Sequence, residues 1–296
     1  MPALRSCLTL PGSRPRFHEK AEDSAADMLI FDLEDSVAPS AKEEAREEIV
    51  RALRGRRYEG KVRGVRVNGV DTRWCADDVR RVVEEAGDRI DCLVLPKVED
   101  VDAVHFAHHL LNQLEWKLGL ERPIDLQLQV ETARGLENAA RIAAASVRNQ
   151  ALVFGPIDFA ADMRIPAPEG TDAGYFLARI AVAARASGLQ VIDGPFPQLR
   201  DLEGLRTAAR RAAALGCDGK WVLHPDQVEV VNEVFAPTQE QFDQAHRVVE
   251  AYRRATEVDG SGAVKLGDEM IDEASRKLAA ALLERGEAAG MRPGGS

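Results

Sequence analysis

Acidic and basic side chains stand directly behind several short apolar runs of this 296-residue chain. Asp32, Glu34 and Asp35 fall within four residues, and Arg66, Lys97, Glu131, Asp158 and His224 each close a further run. Glu131 and Asp158 are hard oxygen donors of the kind that hold Mg²⁺, an ion that keeps its other positions for water and substrate. A 2-hydroxy or 2-keto acid can fill two of those positions, and the metal then acts on it as a Lewis acid. Arg66 offers a planar cationic fork to a developing oxyanion. The bland reading of the same residues is a set of structural ion pairs where strands end.

Other candidates carry less. Lys97 is a possible Schiff-base amine, or a lysine paired with the neighbouring carboxylates. His105 and His109 lie one turn apart on a helix, with His108 between them. Without a third ligand they read as a solvated face rather than a zinc site. Gly12, Ser13 and Arg14, with Lys20 beyond, could hold a phosphate. Cys7, Cys75, Cys92 and Cys217 are far apart without a C-x-x-C pair, and read as small core residues in a reducing compartment.

The elements that must position these groups are legible in the pattern. Apolar or β-branched runs at 5–10, 28–33, 62–67, 92–95, 125–130, 151–155, 190–193 and 219–224 read as parallel strands covered on both faces. Ala/Arg/Glu-rich helical stretches lie between them, at 41–53, 76–86, 136–145, 175–186 and 202–215. Eight strand–helix units predict a (β/α)₈ TIM barrel, an α/β fold whose chemistry sits at the C-terminal ends of the strands. No G-x-G-x-x-G follows the first strand, so a dinucleotide-binding open sheet lacks its signature. The expected domains are a barrel over 1–236, a C-terminal helical arm over 237–285 carrying Asp272, and a disordered Gly-rich tail over 286–296.

The bulk properties exclude some partners. Forty-nine acidic against thirty-nine basic residues give a net charge of −10, which argues against nucleic acid or an anionic membrane. No apolar run approaches the ~20 residues that span a bilayer, and the N-terminus is too short in apolar residues for a signal peptide. The cytoplasm is the expected compartment.

The ordered motifs resemble the HpcH/HpaI aldolase–citrate lyase β family, and within it the L-malyl-CoA/β-methylmalyl-CoA lyases. The resemblance runs from about Leu4 to about Leu283. It rests on Leu10-Pro11-Gly12-Ser13-Arg14-Pro15, Asp32-Leu33-Glu34-Asp35-Ser36-Val37-Ala38-Pro39 and Arg66-Val67-Asn68-Gly69-Val70-Asp71-Thr72. It continues through Leu95-Pro96-Lys97-Val98-Glu99, Val130-Glu131-Thr132-Ala133-Arg134-Gly135-Leu136 and Asp193-Gly194-Pro195-Phe196. It ends with Gly219-Lys220-Trp221-Val222-Leu223-His224-Pro225 and Met270-Ile271-Asp272. Asp158 is followed by Phe159-Ala160-Ala161-Asp162-Met163-Arg164-Ile165, and the family's usual stretch after it is altered and shortened where the family shapes its acid pocket.

That resemblance implies Glu131 and Asp158 as ligands of Mg²⁺ (or Mn²⁺), Arg66 as the oxyanion stabiliser and Asp272 as the catalytic acid/base. It implies Arg14 and Lys20 on CoA phosphates, with Gly155 and Pro156 as substrate contacts and Asp32, Glu34, Asp35 and Lys97 in support. The implied reaction is reversible retro-Claisen cleavage of a 3-hydroxyacyl-CoA, such as malyl-, β-methylmalyl- or citramalyl-CoA. Its products are an acyl-CoA and a 2-keto acid such as glyoxylate. A homo-oligomer, trimer or hexamer, with Asp272 reaching a neighbour's site is expected. The alternatives are a malyl-CoA thioesterase, a citrate-lyase β-type subunit acting on a carrier-bound thioester, and a catalytically silent regulator.

Overall fold

A computed structural model describes residues 2–165, 173–258 and 260–294. The chain divides into two compact units, Leu4–Asn232 and a C-terminal unit that starts at Glu233. In the first, eight strands are joined in one closed barrel: β1 (Ser6–Pro11), β2 (Met28–Asp32), β3 (Val62–Arg66), β4 (Cys92–Leu95), β5 (Asp125–Val130), β6 (Asn149–Phe154), β7 (Gln190–Asp193) and β8 (Gly219–Val222). Each pairs with its sequence neighbour in parallel, and β8 returns to β1 to close the ring. All strands therefore end at the same face. The expected fold class holds, with strand ends shifted by at most two residues.

The helices around it are α1 (Pro15–Ala21), α2 (Lys42–Gly55), α3 (Cys75–Ala86), α4 (Val101–Leu118), α5 (Ala133–Ala143), α6 (Pro156–Asp162), α7 (Ala173–Ala186) and α8 (Leu202–Ala214), followed by α9 (Asp226–Phe235). Their starts follow from local chemistry. Asp100 caps α4 by accepting from the amides of Asp102 and Ala103, and Thr132 caps α5 through Gly135. The short helices α1 and α6 open on proline, whose fixed φ and missing N–H suit a first helical turn. Seven residues show too little periodicity to be read as helix from the sequence.

Inside the barrel, alternate strand residues converge: Cys7, Met28, Ile30, Cys92, Val94, Ala151, Val153, Ile192 and Trp221 form one buried cluster with Leu4. This plug is the floor on which the rim residues stand. All four cysteines are buried and unbridged, as small core residues should be.

The second unit is a helical hairpin with a strand ribbon between its arms. Helix α10 (Gln239–Glu257) opens on a capping box in which Thr238 and Gln241 satisfy each other's amides. The ribbon β9 (Val264–Leu266) and β10 (Glu269–Ile271) turns through Gly267 and Asp268. Gly267 has φ 61°. A Gly-Asp pair is a hairpin signal, so this ribbon was readable from the residues although the helical expectation passed over it. Helix α11 (Glu273–Ala288) follows, and Ala245, Val248, Ile271 and Ala279 form the core of the unit.

The expected disordered tail from Gly286 is corrected in part, because α11 continues to Ala288. A Cβ at Gly286 would lie 2.3 Å from the Phe242 ring, so glycine there permits close helix packing rather than marking a coil. Beyond it, the Gly294 amide donates to Asp243 at 3.0 Å.

Candidate active site

The barrel topology brings Asp32, Arg66, Lys97, Glu131 and Asp158 to one face, each at or just past a strand end. Asp32, the last residue of β2, is fully buried. Its two oxygens accept from Arg66 Nε at 2.7 Å and Nη2 at 2.8 Å, across the β2–β3 pairing. The amides of Glu34 and Ser36 also donate to it, at 2.9 and 3.1 Å. Burial alone would raise this carboxyl, but the charge and hydrogen bonds of Arg66, with those of Ser36 and Glu34, hold it below the usual range. Arg66 is buried as well, its guanidinium 5.3 Å over the Trp221 ring. Burial opposes its charge, yet Asp32, Glu34 and Asp35 raise its pKa further. Asp32 takes two of its five N–H donors. Nη1 lies 3.1 Å from Glu34 and 3.7 Å from Asp35.

On the opposite side of this acid group stands Glu131, buried at the end of β5. The Lys97 amide donates to its Oε1 at 2.7 Å, and Gln129 Nε2 donates to its Oε2. Lys97 achieves this with φ 51°, a left-handed conformation uncommon for a side chain of its length. Gly155 leaves the necessary room, since a Cβ there would lie 2.2 Å from Glu131 Oε2. Asp158, in the first turn of α6, is the second carboxylate. Burial, and then the charge of Asp158, push the Glu131 carboxyl up to about 8.

Lys97 Nζ reaches between the two sides, paired with Glu34, 3.5 Å from Asp35 and 4.0 Å from Asp158. Burial lowers its pKa, but the hydrogen bond to Glu34 and the charges of Glu34, Asp35 and Glu131 more than reverse that, so it stays an ammonium. The ion-pair reading of Lys97 is the one the geometry supports. Even with Lys42 counted, five carboxylates (Asp32, Glu34, Asp35, Glu131, Asp158) meet three cations (Arg66, Lys97, Lys42). That excess, concentrated at Glu131 and Asp158, fits a hard divalent cation. Among the described residues no group of three or more His, Cys, Asp or Glu could hold a metal ion, so a cation on this pair would need other oxygen donors. His105 and His109 are exposed, and His108 Nδ1 is 2.8 Å from Ser146 Oγ.

Arg14 and Lys20 are exposed just after β1, on and before α1, and neither is in an ion pair among the described residues. Gly155 and Pro156 form the turn from β6 into α6. Asp272 lies in the C-terminal unit as the N-cap of α11, exposed, accepting from Ser275 N at 2.9 Å and Ser275 Oγ at 3.0 Å. Those bonds hold its carboxyl below the usual range. Of the altered stretch after Asp158, the part beyond Ile165, residues 166–172, lies outside the described residues.

Sequence reasoning missed a supporting layer. Lys42 Nζ, buried, donates to the carbonyls of Leu33 at 2.8 Å and Glu34 at 3.0 Å, and lies 5.1 Å from the Trp74 ring centroid. Fully buried Asp78 accepts from Arg46 at 2.7 Å and from the Asn68 amide at 3.0 Å, while Asn68 Nδ2 also reaches Leu33 O at 3.1 Å. These bonds fix the backbone that presents Glu34 and the end of β3. Gln129 was also missed, although its place two residues before Glu131 puts it on the same face of β5.

Residues 5–225 match the HpcH/HpaI aldolase/citrate lyase family model. The chain is 37% identical over 295 residues to the L-malyl-CoA/β-methylmalyl-CoA lyase of Cereibacter sphaeroides, covering 94% of this chain and 92% of the lyase. It is 35% identical to a (3S)-malyl-CoA thioesterase of the same species, covering 96% and 95%. The Mycobacterium tuberculosis CitE structure, solved with magnesium, acetoacetate and coenzyme A, superposes with a TM-score of 0.74 at 30% identity over 96% of this chain and 98% of that one. Among the described residues, no helix is long and apolar enough to cross a membrane. With the family model spanning nearly all of the barrel, and relatives of more than 30% identity spanning almost the whole chain, this protein belongs to the HpcH/HpaI aldolase/citrate lyase family.

Proposed function

We propose that the protein is a cytoplasmic, Mg²⁺-dependent carbon–carbon lyase that cleaves or forms a 3-hydroxyacyl-CoA such as malyl-CoA or β-methylmalyl-CoA. The observation that carries this reading is the buried Glu131 carboxylate facing Asp158, beside an arginine already oriented by Asp32. Glu131 and Asp158 would hold the ion (Mn²⁺ being able to replace Mg²⁺), and when bound it supplies Lewis-acid polarisation of the substrate's oxygens.

In the cleavage direction the hydroxyl loses its proton to solvent water and becomes the carbonyl of the keto acid, and this proton balances the one that Asp272 takes from solvent for the α-carbon. The electrons of the broken C–C bond pass into the thioester, which becomes an enolate. Arg66 places its remaining N–H donors at that oxyanion, and Asp32 keeps the fork from turning away. Trp221, beneath the guanidinium, supports it from the barrel interior. Asp272 then returns a proton to the α-carbon; in synthesis it removes one. Arg14 and Lys20, exposed cations without ion-pair partners among the described residues, suit the phosphates of CoA.

Asp272 belongs to the C-terminal unit, so the proposal includes a homo-oligomer, trimer or hexamer, in which that residue serves a neighbouring barrel. Co-expressed Arg66→Ala and Asp272→Asn subunits should then regain a fraction of activity that neither variant has alone.

The thioesterase reading is favoured by one relative of that name at 35% identity. A single experiment separates the two. Purified protein, Mg²⁺ and malyl-CoA should yield acetyl-CoA and glyoxylate by mass spectrometry. Free malate and CoA without glyoxylate would transfer the assignment to the hydrolase.

A further inference from the structure

Strand β5 and the residue after it place Gln127, Gln129 and Glu131 at alternate positions, and both glutamines are buried. Their partners differ. Gln127 Nε2 donates to Gln150 Oε1 at 2.8 Å, low on the strand. Gln129 Nε2 donates to Glu131 Oε2, and among the described residues the buried Oε1 atoms of both glutamines have no hydrogen-bond partner. An ionised carboxylate, the form a cation binds, only accepts, so toward it Gln129 must turn its NH₂ and leave its oxygen unmatched. An unmatched buried acceptor costs free energy. The bond to Glu131 is what the side chain obtains in return.

Glu131 is therefore gripped at both oxygens, by a backbone amide at Oε1 and a neutral side-chain amide at Oε2. Both donors are uncharged. A lysine in place of Gln129 would also hold the carboxylate, but its charge would oppose a cation bound there. A neutral donor orients the ligand without competing for its charge, as outer-shell partners of metal ligands do.

We propose that Gln129 is a positioning residue that holds Glu131 in the rotamer a divalent cation requires. The inference rests on the assignment of Glu131 and Asp158 to that cation. It is tested on the purified full-length protein by Mn²⁺ binding, read by electron paramagnetic resonance without substrate. Gln129→Met keeps the volume and loses the donor, and should raise the Mn²⁺ Kd by roughly 10-fold or more. Gln127→Met, at the alternate position before it on the strand but without contact to Glu131, should leave Kd within about twofold of wild type, inside the usual scatter for a site outside the metal's outer shell.

An unchanged Kd in folded Gln129→Met overturns the proposal, and so does an equal weakening by Gln127→Met, which would mark a general disturbance of the barrel. Should Gln129→Met fail to fold, Gln129→Asn, whose amide falls one methylene short, is read by the same criteria. If wild type binds no Mn²⁺, or Glu131→Gln binds it as wild type does, the cation assignment itself falls. If wild type binds, Glu131→Gln does not, and Gln129→Met is unaltered, only the role of Gln129 falls.

Discussion

Two acid groups at the same rim have been given opposite electrostatic treatments. Asp32 is fully buried, which alone would raise its pKa, but two guanidinium donors and two backbone amides meet it and hold it below its ordinary value. Glu131 is almost as buried, yet its donors are neutral and its nearest charged neighbour includes another carboxylate, Asp158, so its pKa climbs to about 8. The first half is finished by the protein alone. The second has only a shared positive charge, Lys97 Nζ, which pairs with Glu34 and lies 4.0 Å from Asp158. Depth of burial is shared by the two, so the difference lies in what faces each carboxylate. A rim pair kept only for stability would resemble Asp32 with Arg66, whereas Glu131 with Asp158 makes physical sense once a cation completes it.

The comparison breaks most visibly at the unfinished half. Glu131→Gln or Asp158→Asn should remove cation binding and lower turnover by roughly 10³-fold, equivalent to the several kcal/mol a Lewis acid contributes. Thermal stability measured without metal near pH 7 should survive either change, because the Glu131 carboxyl, with a pKa of about 8, is already neutral there and Asp158 is partly exposed. Activity that persisted in both variants and in EDTA would refute the metal assignment.

At the finished half the expected effects reverse in kind. Asp32→Asn removes the buried carboxylate that takes two of Arg66's donors, leaving only Glu34 and Asp35 to face the guanidinium, and should cost about 3 kcal/mol of stability, read by urea unfolding. Arg66→Lys keeps a charge but not the fork, and should slow turnover by roughly 10²-fold. A near-normal rate in Arg66→Lys would reduce Arg66 to a structural partner of Asp32.

The contrast also makes pH a probe. With its folded pKa raised to about 8 from an ordinary 4.5, Glu131 holds a proton in the folded state that the unfolded chain has already released. Its contribution is complete below the unfolded pKa and is lost as pH rises through the folded value. Metal-free protein should therefore show a Tm that declines between about pH 5 and 8, on top of whatever other groups add. Glu131→Gln should flatten that decline, and so should saturating Mg²⁺. An identical slope in wild type and variant would mean that Glu131 titrates near its ordinary value.

How much of this contrast could be read from the residues follows from where each signal resides. Strands covered on both faces read as apolar runs, so their ends, and with them Asp32, Arg66, Glu131 and Asp158, could be located. The layer behind them was invisible. Lys42 and Arg46 lie on α2 among Glu43 and Glu44, and Asp78 lies beside Asp77 on α3, a composition that reads as two solvated helix faces. Only tertiary packing joins Arg46 to Asp78 across 32 residues of sequence. The pairing of Asp32 with Arg66 across adjacent strands was likewise a matter of register, which parallel pairing settles and composition does not. Asp272 was legible as a conspicuous carboxylate, but its second use as the cap of α11 depends on a ribbon that the residues signalled only through Gly267 and Asp268.

The smallest effect is expected at Lys97, which belongs to both halves. Its side chain pairs with Glu34 while its backbone amide holds Glu131. Lys97→Met removes the first contact and leaves the second, because a backbone N–H survives any substitution but proline. Cation binding should therefore stay within about threefold of wild type, as the direct ligands and their amide donors remain, while turnover falls modestly as Glu34 loses its partner. A Schiff base would need a neutral amine, and the acids around Nζ keep it protonated even more firmly than usual. Borohydride added with a keto acid should consequently leave Lys97 unmodified by mass spectrometry. A reduced adduct on Lys97 would mean that the acid group facing it does not hold the proton, and that the amine, not the carboxylate pair, is the reactive half of the rim.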